Sequence, residues 1–521
     1  MVFSSHIFLF YFLPTVLVIY YLLSHRRLRH LALTILSYIF YGWANPLFVV
    51  LMAFSTVVDY ICGLGMTGHF RGETWGKPLG RLNRLPPGST GGGKGRWYNW
   101  LLVPRIVSWV RGADQHRTSG QRLAVVISVV TNLSLLGFFK YFNFGVESYD
   151  ALAVWLRDTA GVDWVEPLRT TFRITLPLGI SFYTFQSMSY TIDVFRGDAR
   201  PVRNLIDFAC YVSMFPQLVA GPIIRFQEVD DQLRERSHTA EKFARGAAFI
   251  ALGLAKKVLL ANPCGKVADV AFGAGGLTFG QSWVGAVAYG FQIYFDFSGY
   301  SDMAIGLGLM LGFVFPKNFD SPYISQSITE FWRRWHLSLS TWLRDYLYIP
   351  LGGNRKGSGR TYVNLMLVML LGGLWHGASW NFVIWGGIHG VMLVFERSIG
   401  KTAPYRGLPR PLPTVLTFVI VTFAWVFFRA PDLGTAVTYC GTMLGFGSAP
   451  SGAVLIGGFM DQFYYAGILV VAAVAAWGFP QTWDFTRKLT WPKVAVIFVL
   501  FGAAIAALTT QAYNPFIYFI F

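Results

Sequence analysis

The chain has 521 residues, of which 54% are hydrophobic and only 13% are charged, and its mean hydropathy is +0.46. Because soluble globular chains carry about 25% charged residues, this composition excludes an ordinary soluble protein and indicates many membrane spans. The formal net charge is +17. Since the basic residues lie in clusters, they predict membrane orientation and contact with anionic lipids, and we expect no nucleic-acid partner.

Apolar windows that could cross a bilayer recur along the whole chain. A crossing helix needs about 20 apolar residues, and some windows are long enough for two passes. We therefore expect an all-α polytopic membrane protein with about 11 transmembrane helices plus re-entrant or interfacial helices, in a single domain over 1–521. The windows are 7–23, 31–61, 123–142, 205–224, 243–262, 282–315, 361–395, 413–429, 452–478 and 492–510.

The first window predicts a retained span. No Lys or Arg precedes Ile7, no small-residue cleavage site follows the window, and the basic cluster "HRRLRH" at 25–30 comes directly after it. These features are unlike those of a removable signal peptide. The basic cluster is expected to stay cytoplasmic, which places the N-terminus outside.

Residues 68–122 interrupt the apolar pattern with Gly, Arg and Trp. We interpret them as a basic insertion that is cytoplasmic or lies at the membrane interface. Within it, "GSTGGGK" at 88–94 imitates a phosphate-binding loop. Because Gly95 follows the lysine and no strand precedes the loop, we interpret it as a flexible linker and not as a nucleotide site.

Polar residues interrupt the apolar run "FQIYFDFSGYSDMAIGLG" at 291–308. Acidic residues such as Asp296 at membrane depth must be paired or must line a polar cavity, and Ser298 lies close by. No H-E-x-x-H pattern or other metal spacing occurs, so we expect no bound metal. No G-x-S-x-G nucleophile elbow occurs either, which suggests that the substrate supplies the attacking group.

The stretch "SITEFWRRWHLSLSTWLRDYLYIPLGG" at 327–353 contains His336. Helical spacing predicts one continuous helix with a basic, polar face that includes Arg344. An aromatic and apolar face would comprise Trp332, His336, Leu339 and Leu343. Taken alone, the pattern favours a structural explanation, in which the arginines reach the interface and the histidine is merely hydrogen-bonded.

The stretch "LGGLWHGASWNF" at 371–382 places His376 in a run, 361–395, that has no Asp, Glu, Lys or Arg. The neighbouring glycines weaken helix continuity, and a broken helix at membrane depth is tolerated only beside protein or a water-filled cavity. A cavity is therefore expected there. Burial disfavours a charged imidazole, and a neutral one can accept a proton from a hydroxyl as a general base. By contrast, we expect His389 to be a packing or hydrogen-bonding residue.

Together, "QIYFDFSGYSDMAIG", "FWRRWHLSLSTWLRDYLYIPLGG" and "LWHGASWNF" resemble the membrane-bound O-acyltransferase family. The similarity runs over most of the chain, and the segment 281–395 corresponds to the catalytic core. The opening "MVFSSHIFLFYFLP" and the phrase "DYLYIPLGGNRKG" are most similar to the bacterial branch that O-acetylates exported polysaccharides such as alginate. The insertion 68–122 departs from the expected pattern.

This resemblance implies a site and a reaction. His376 would be the catalytic base and His336 its partner, and the helices would enclose a central tunnel. Acetyl-CoA would be the cytosolic donor substrate, with no permanently bound cofactor, and a basic turn at 354–356 could meet its phosphates. The chain would lie in the bacterial inner (cytoplasmic) membrane, and soluble periplasmic acetyltransferase proteins would complete transfer to an exported polysaccharide. Further candidates for the tunnel lining are Asp296, Ser298, Trp335, Arg344, Trp375 and Asn381.

Two alternatives remain open at the level of sequence. The chain could transfer D-alanine or another acyl group from a carrier-protein thioester to a cell-envelope polymer. It could also be a secondary transporter, because broken helices and intramembrane His and Asp residues line many translocation paths. The sequence shows no internal repeat of the kind that transporters usually have. It leaves the acceptor polymer, the oligomeric state and a covalent acetyl-enzyme undecided.

Overall fold

The computed structural model describes most of the chain outside the predicted insertion. Among the described residues all regular structure is helical, so the prediction of an all-α fold is confirmed for them. Residues 67–117, which include most of the insertion predicted at 68–122 and the loop at 88–94, lie outside the described residues. The described residues are 1–43, 45–66, 118–162, 164–170, 172–400, 407–409, 411–447, 458, 460, 462–511 and 513–517.

The first half of the chain forms ten helices within the described residues. A π-helical turn at Ile7–Phe12 leads into the first of them. The ten helices are α1 (Leu13–Leu22), α2 (Arg26–Gly42), α3 (Leu47–Met66), α4 (Ser119–Ala160), α5 (Ile180–Arg196), α6 (Leu205–Ser213), α7 (Phe226–Arg234), α8 (Ala240–Ala255), α9 (Asn262–Phe272) and α10 (Phe279–Met310).

The second half continues with shorter and more interrupted helices. Three of them, α11, α12 and α18, are only one or two turns long, and a π-helical turn at Arg344–Tyr348 follows α12. The helices are α11 (Ile328–Phe331), α12 (Leu337–Leu343), α13 (Ser358–His376), α14 (Trp380–Ser398), α15 (Pro411–Arg429), α16 (Leu433–Met443), α17 (Phe463–Gly478), α18 (Thr482–Phe485) and α19 (Trp491–Thr510).

Four of the described helices are long and apolar enough to cross a membrane by themselves, namely α3, α4, α15 and α19. Shorter apolar helices occur at Ile7–Leu22 and at Phe463–Gly478. Other candidate spans are divided by turns or contain polar residues that are buried in the protein. The expected total of about 11 spans therefore stays a prediction.

Glycines allow the central helices to approach closely. A Cβ atom at Gly246 of α8 would lie 2.6 Å from the Gly306 carbonyl oxygen of α10, and one at Gly253 would lie 2.5 Å from the Gly299 oxygen. Such contacts between backbones are typical of helices that associate in membranes. The hydrophobic effect does not drive association there, and small residues let the helices approach closely enough for van der Waals packing. The glycine pairs thus bring α8 and α10 into direct backbone contact at the centre of the fold.

Candidate active site

His376 is the last residue of α13, and the chain turns immediately after it into α14. Gly377 has an extended backbone conformation, and a Cβ atom there would collide with the Phe382 ring. Ser379 begins the next helix by accepting a hydrogen bond from the Asn381 amide at 3.2 Å. The predicted helix interruption is confirmed at Gly377, whereas Gly372 and Gly373 lie inside α13.

Gly373 has a different role from that predicted. A Cβ atom there would collide with the Phe382 carbonyl oxygen, and one at Gly386 would collide with the Met369 carbonyl oxygen. These two glycines let the antiparallel helices α13 and α14 touch along their backbones. The end of α13, and with it His376, is therefore fixed against α14.

Aromatic rings surround the imidazole of His376. The ring centroids of Trp375, Trp385 and Phe428 lie 5.0, 5.2 and 5.2 Å from the His376 centroid, all in edge-on arrangements. Close packing on these sides restricts rotation of the imidazole. The ring nevertheless remains partly accessible, because cavities reach it.

Two cavities contain His376 in their walls. The larger has a volume of about 410 Å³. The smaller has a volume of about 10 Å³, room for about one water molecule. The larger is lined by Asn45, Phe48, Lys140, residues 175–182, Val219, Trp375 and His376. The smaller is lined by Ile293, Phe297, Trp335, His376, Trp425, Phe428 and Ile517. The cavity that the glycine pattern predicts beside His376 is thus present.

His336 does not lie within a continuous helix, so that prediction is wrong. It has left-handed backbone angles, with φ of 45° and ψ of 57°, and it separates α11 and its following turns from α12. The Leu337 amide donates to the Asn318 carbonyl oxygen at 2.9 Å, which holds the chain in this turn. A left-handed non-glycine residue costs about 1–2 kcal/mol, and such strain is often found at functional sites.

Hydrogen bonds around Asn318 indicate which nitrogen of the His336 ring carries the proton. Asn318 Oδ1 accepts from the Ser338 amide at 3.2 Å and from its hydroxyl at 2.9 Å, which fixes the orientation of the carboxamide. His336 Nδ1 lies 3.3 Å from the same oxygen. Because a carbonyl oxygen only accepts, we assign the proton to Nδ1. Among the residues that the structure describes, the buried Nε2 atom has no hydrogen-bond partner, and it is left as an acceptor.

The two predicted histidines lie close together. Their ring centroids are 6.5 Å apart, and Trp375 lies beside both rings. His336 is fully buried, whereas His376 borders the cavities. The sequence predicted the pairing through family resemblance, and the geometry places both rings within reach of one small substrate group.

Glu396 anchors the segment that leads to His336, and sequence reasoning missed it. Its carboxylate accepts from the Ile328 amide at 2.7 Å and from the Thr329 amide and hydroxyl at 2.8 and 2.6 Å. The acid lies at the far end of α14 and caps the start of α11. A signal was present, because Glu396 is the first acid after the charge-free run 361–395.

His389, on the middle of α14, is fully buried. Its Nδ1 atom accepts a hydrogen bond from Trp332 Nε1 at 3.3 Å, and its ring packs between those of Phe331 and Trp385. The expectation of a packing and hydrogen-bonding residue is confirmed.

Two of the predicted tunnel residues line the cavities beside His376. Trp375 lines the larger cavity and Trp335 lines the smaller one. Asn381 is buried after the turn, but its side chain donates to the Ala430 carbonyl oxygen at 2.9 Å. The structure gives Asn381 a contact that ties α14 to the end of α15.

The other three predicted tunnel residues are not in the walls of these two cavities. Asp296 forms a buried ion pair with Lys257, at 3.1 Å, and Ser298 is buried on the same helix, α10. The Arg344 side chain is 58% exposed and forms an ion pair with Asp345 at 2.7 Å. Arg344 thus lies at the surface and away from both histidines.

The molecule has a charged end opposite the larger cavity. Residues 180–182 at the start of α5 line that cavity, while Arg196 at the end of α5 donates to the Asp345 carbonyl oxygen at 3.1 Å. Arg225 forms an ion pair with Asp345 at 2.6 Å. The exposed basic turn at 354–356 precedes α13, whose other end is His376. Each helix of about 17–19 residues spans about 25–28 Å, so the two ends are well separated.

Two neighbouring histidines in a helical membrane chain, one of them in the walls of the cavities, form the arrangement that the family resemblance of the sequence implies. The family model for the membrane-bound O-acyltransferase family matches residues 199–430, which include both histidines. The chain belongs to the membrane-bound O-acyltransferase family: it is an integral membrane protein and an O-acyltransferase. The prediction of an enzyme of this family is confirmed.

Similar proteins cover the whole length of the chain. It is 43% identical to the probable alginate O-acetylase AlgI of Pseudomonas putida over 547 aligned positions, which cover 100% of both chains. It is 47% identical to the probable alginate O-acetylase AlgI of Pseudomonas aeruginosa, over 86% of this chain and 76% of the relative. It is 37% identical to the peptidoglycan O-acetyltransferase of Helicobacter pylori, over 66% and 70% of the two chains.

Proposed function

We propose that this chain transfers an acetyl group from cytosolic acetyl-CoA across the inner membrane for the O-acetylation of an exported polysaccharide, alginate or a similar polymer. The position of His376 in the walls of both cavities, 6.5 Å from His336, carries the proposal. The names of the similar proteins, alginate O-acetylase and peptidoglycan O-acetyltransferase, support acetyl as the group and a polysaccharide as the acceptor.

The charge distribution supports a direction for the transfer. By the positive-inside rule, the cluster at 25–30 at the start of α2 belongs to the cytosol, together with the charged end around Asp345. Asn45, just beyond the other end of α2, lines the larger cavity. The acceptor would therefore approach His376 through this cavity from outside, and the N-terminus would also lie outside.

In the proposed reaction, His376 acts as a general base. The imidazole accepts the proton of the acceptor hydroxyl while the hydroxyl oxygen attacks the thioester carbonyl carbon. The new carbon–oxygen bond forms, the carbon–sulfur bond breaks, and the departing thiolate of coenzyme A takes the proton from His376. The aromatic rings around His376 hold the imidazole in one orientation for both proton transfers.

His336 would orient the reacting groups. Because Asn318 holds the proton on Nδ1, the free Nε2 atom is an acceptor and not a donor. This assignment favours a hydrogen bond from a hydroxyl or from the protonated His376 ring. It disfavours direct stabilisation of a developing oxyanion, which requires a donor.

The same orientation in the membrane indicates where the acyl donor and the protein partners would bind. The basic turn at 354–356 is exposed at the charged end, where it could attract the phosphates of coenzyme A. Periplasmic acetyltransferase proteins at the outer face would complete transfer to the polymer. Acetyl-CoA is a substrate in this scheme, and no cofactor stays bound.

The proposal is tested with the full chain in proteoliposomes, using acetyl-CoA labelled in the acetyl group and alginate oligosaccharides on the opposite side. We expect label in the oligosaccharide, or in an added periplasmic partner, with release of one thiol for each acetyl group. Transfer from an acyl carrier-protein thioester but not from acetyl-CoA would contradict the proposal. It would favour the D-alanyl type of reaction instead.

A further inference from the structure

The end of α13 is a helix terminus enclosed in a membrane protein. The last four carbonyl groups of a helix have no partners within it, and in a membrane interior they cannot rely on bulk water. In α13 these groups belong to residues 373–376, and the last of them belongs to His376 itself. The partners of these four oxygens therefore decide how firmly the His376 backbone is held.

All four carbonyl oxygens have partners, and α4 provides most of them. The Gly377 amide donates to the Gly373 oxygen at 3.3 Å. The Tyr141 hydroxyl donates to the Leu374 oxygen at 2.7 Å. Lys140 Nζ donates to the Trp375 oxygen and, at 3.1 Å, to the His376 oxygen. Two consecutive residues of α4 thus cap the helix that presents His376.

Lys140 could instead be regarded as a binding group for an anionic substrate, because it lines the larger cavity. Its hydrogen bonds argue against this role. An ammonium group has three N–H donors, and Nζ has three acceptors here, Trp375 O, His376 O and, at 3.3 Å, Ser181 Oγ. No donor is left over for a substrate carboxylate. The cation also lies 5.8 Å from the centre of the Trp375 ring, and a positive charge suits the negative end of a helix.

We propose that Lys140, assisted by Tyr141, is a positioning residue that caps the C-terminus of α13 and fixes the backbone of His376 at the cavity. This inference rests on the proposed function for its kinetic consequence, but the cap itself is a property of the fold. Loss of the cap would free the carbonyl groups of Trp375 and His376, and the last turn of α13 would loosen. The imidazole would then be displaced from the reacting hydroxyl.

The kinetic test compares Lys140→Met, Lys140→Arg and Tyr141→Phe in proteoliposomes. A displacement of about 1 Å at a reacting group can cost roughly 100-fold, so we expect Lys140→Met to lower kcat by about that factor. The KM for acetyl-CoA should stay close to the wild-type value, because the donor's phosphates bind at the other end. Lys140→Arg retains donors for both carbonyl groups and should recover much of the rate, and Tyr141→Phe should show a smaller loss.

Lys493→Met is a matched control. Lys493 also caps backbone carbonyl groups, those of Phe485 and Lys488, at 2.7 and 3.1 Å. The substitution Lys493→Met makes the same chemical change as Lys140→Met, in a part of the fold that does not line either of the two cavities. We expect its kcat to match that of the wild type.

A comparison of two acceptor oligosaccharides distinguishes a positioning role of Lys140 from a role in binding an anionic acceptor. If Lys140 fixes His376, Lys140→Met lowers kcat equally with a carboxylated oligosaccharide and with a neutral one. A rise in KM confined to the carboxylated acceptor would overturn the proposal, and so would a wild-type kcat in Lys140→Met.

Hydrogen–deuterium exchange tests the cap without any catalytic assay. Lys140→Met should speed exchange of the backbone amides around residues 374–380, and Lys140→Arg should restore protection. Unchanged exchange there would overturn the proposal. If wild-type protein shows the protected segment but no transfer from acetyl-CoA, the proposed function fails while the cap stands. If Lys140→Met does not fold, Lys140→Arg and Tyr141→Phe still give both readouts.

Discussion

His336 and His376 are 40 positions apart in the sequence, yet their ring centroids are 6.5 Å apart. The helix α14 accounts for this proximity. Its first turns contact α13 through Gly373 and Gly386, which fixes His376. Its far end holds the start of α11 through a hydrogen bond from Ile328 to Glu396, eight residues before the strained His336. One helix therefore sets the position of both histidines.

We expect Glu396→Ala to weaken the His336 side of the site. Hydrogen bonds to a charged group are worth about 1.5–3 kcal/mol each, and this substitution removes three of them. Thermal unfolding in detergent should show a clear loss of stability, and turnover should fall. Glu396→Gln keeps one acceptor oxygen and should be affected less, while Glu241→Ala, at an exposed acid of α8, should behave like the wild type. Equal stability of Glu396→Ala and Glu241→Ala would refute this role of Glu396.

Two adjacent glycines provide a second comparison. Gly373→Ala places a methyl group against the Phe382 carbonyl oxygen, whereas the nearest atom to a methyl group at Gly372 is Leu343 Cδ1 at 3.4 Å. Overpacking costs about 1–3 kcal/mol, and the strain at Gly373 should also move His376. We expect Gly373→Ala to lose both thermal stability and activity and Gly372→Ala to keep them. Similar behaviour of the two variants would show that α13 and α14 are not in tight backbone contact.

The backbone of His336 favours asparagine over alanine as a replacement. Asparagine tolerates left-handed backbone angles better than other non-glycine residues, and its side-chain oxygen can accept a hydrogen bond. A neutral hydrogen bond is worth about 0.5–1.5 kcal/mol, so His336→Asn should be up to about tenfold more active than His336→Ala. Steady-state kcat measurements decide the question, and equal rates would mean that the acceptor atom is irrelevant.

The ion pair of Lys257 and Asp296 tests whether Asp296 takes part in transfer. The side chains are only 3% and 1% exposed, so Lys257→Met leaves a buried carboxylate without its partner. Such a loss costs about 3–5 kcal/mol, and replacing both members with apolar residues often restores stability. We expect Lys257→Met to be unstable and the double variant Lys257→Met/Asp296→Leu to recover thermal stability and transfer. A stable but inactive double variant would indicate that Asp296 takes part in acyl transfer.

The sequence predicted those parts of the site that depend on local chemistry. Glycines beside His376 predicted the interruption at Gly377 and the cavity, because both follow from backbone freedom and from the need to satisfy polar groups in a membrane. The charge-free run around His376 located the helices that became α13 and α14.

The remaining parts depend on contacts between distant residues. Periodicity predicted a continuous helix through His336, but the left-handed turn is imposed by Asn318, which lies on another segment. Likewise, Glu396 reaches Ile328 across 68 positions, and Lys140 reaches His376 across 236. Lys140 is the only charge in the apolar window 123–142, and Glu396 is the first charge after the run 361–395. These positions mark the two side chains as unusual but do not identify their partners.

The central claim is that His376 is the general base for acetyl transfer, and the most direct measurement is the transfer rate of His376→Ala in proteoliposomes. General base catalysis contributes roughly 100- to 10,000-fold, so we expect the rate from labelled acetyl-CoA to fall by that factor in correctly folded protein. His389→Gln, which keeps an acceptor for Trp332, should retain transfer. Transfer at the wild-type rate by well-folded His376→Ala would contradict the account.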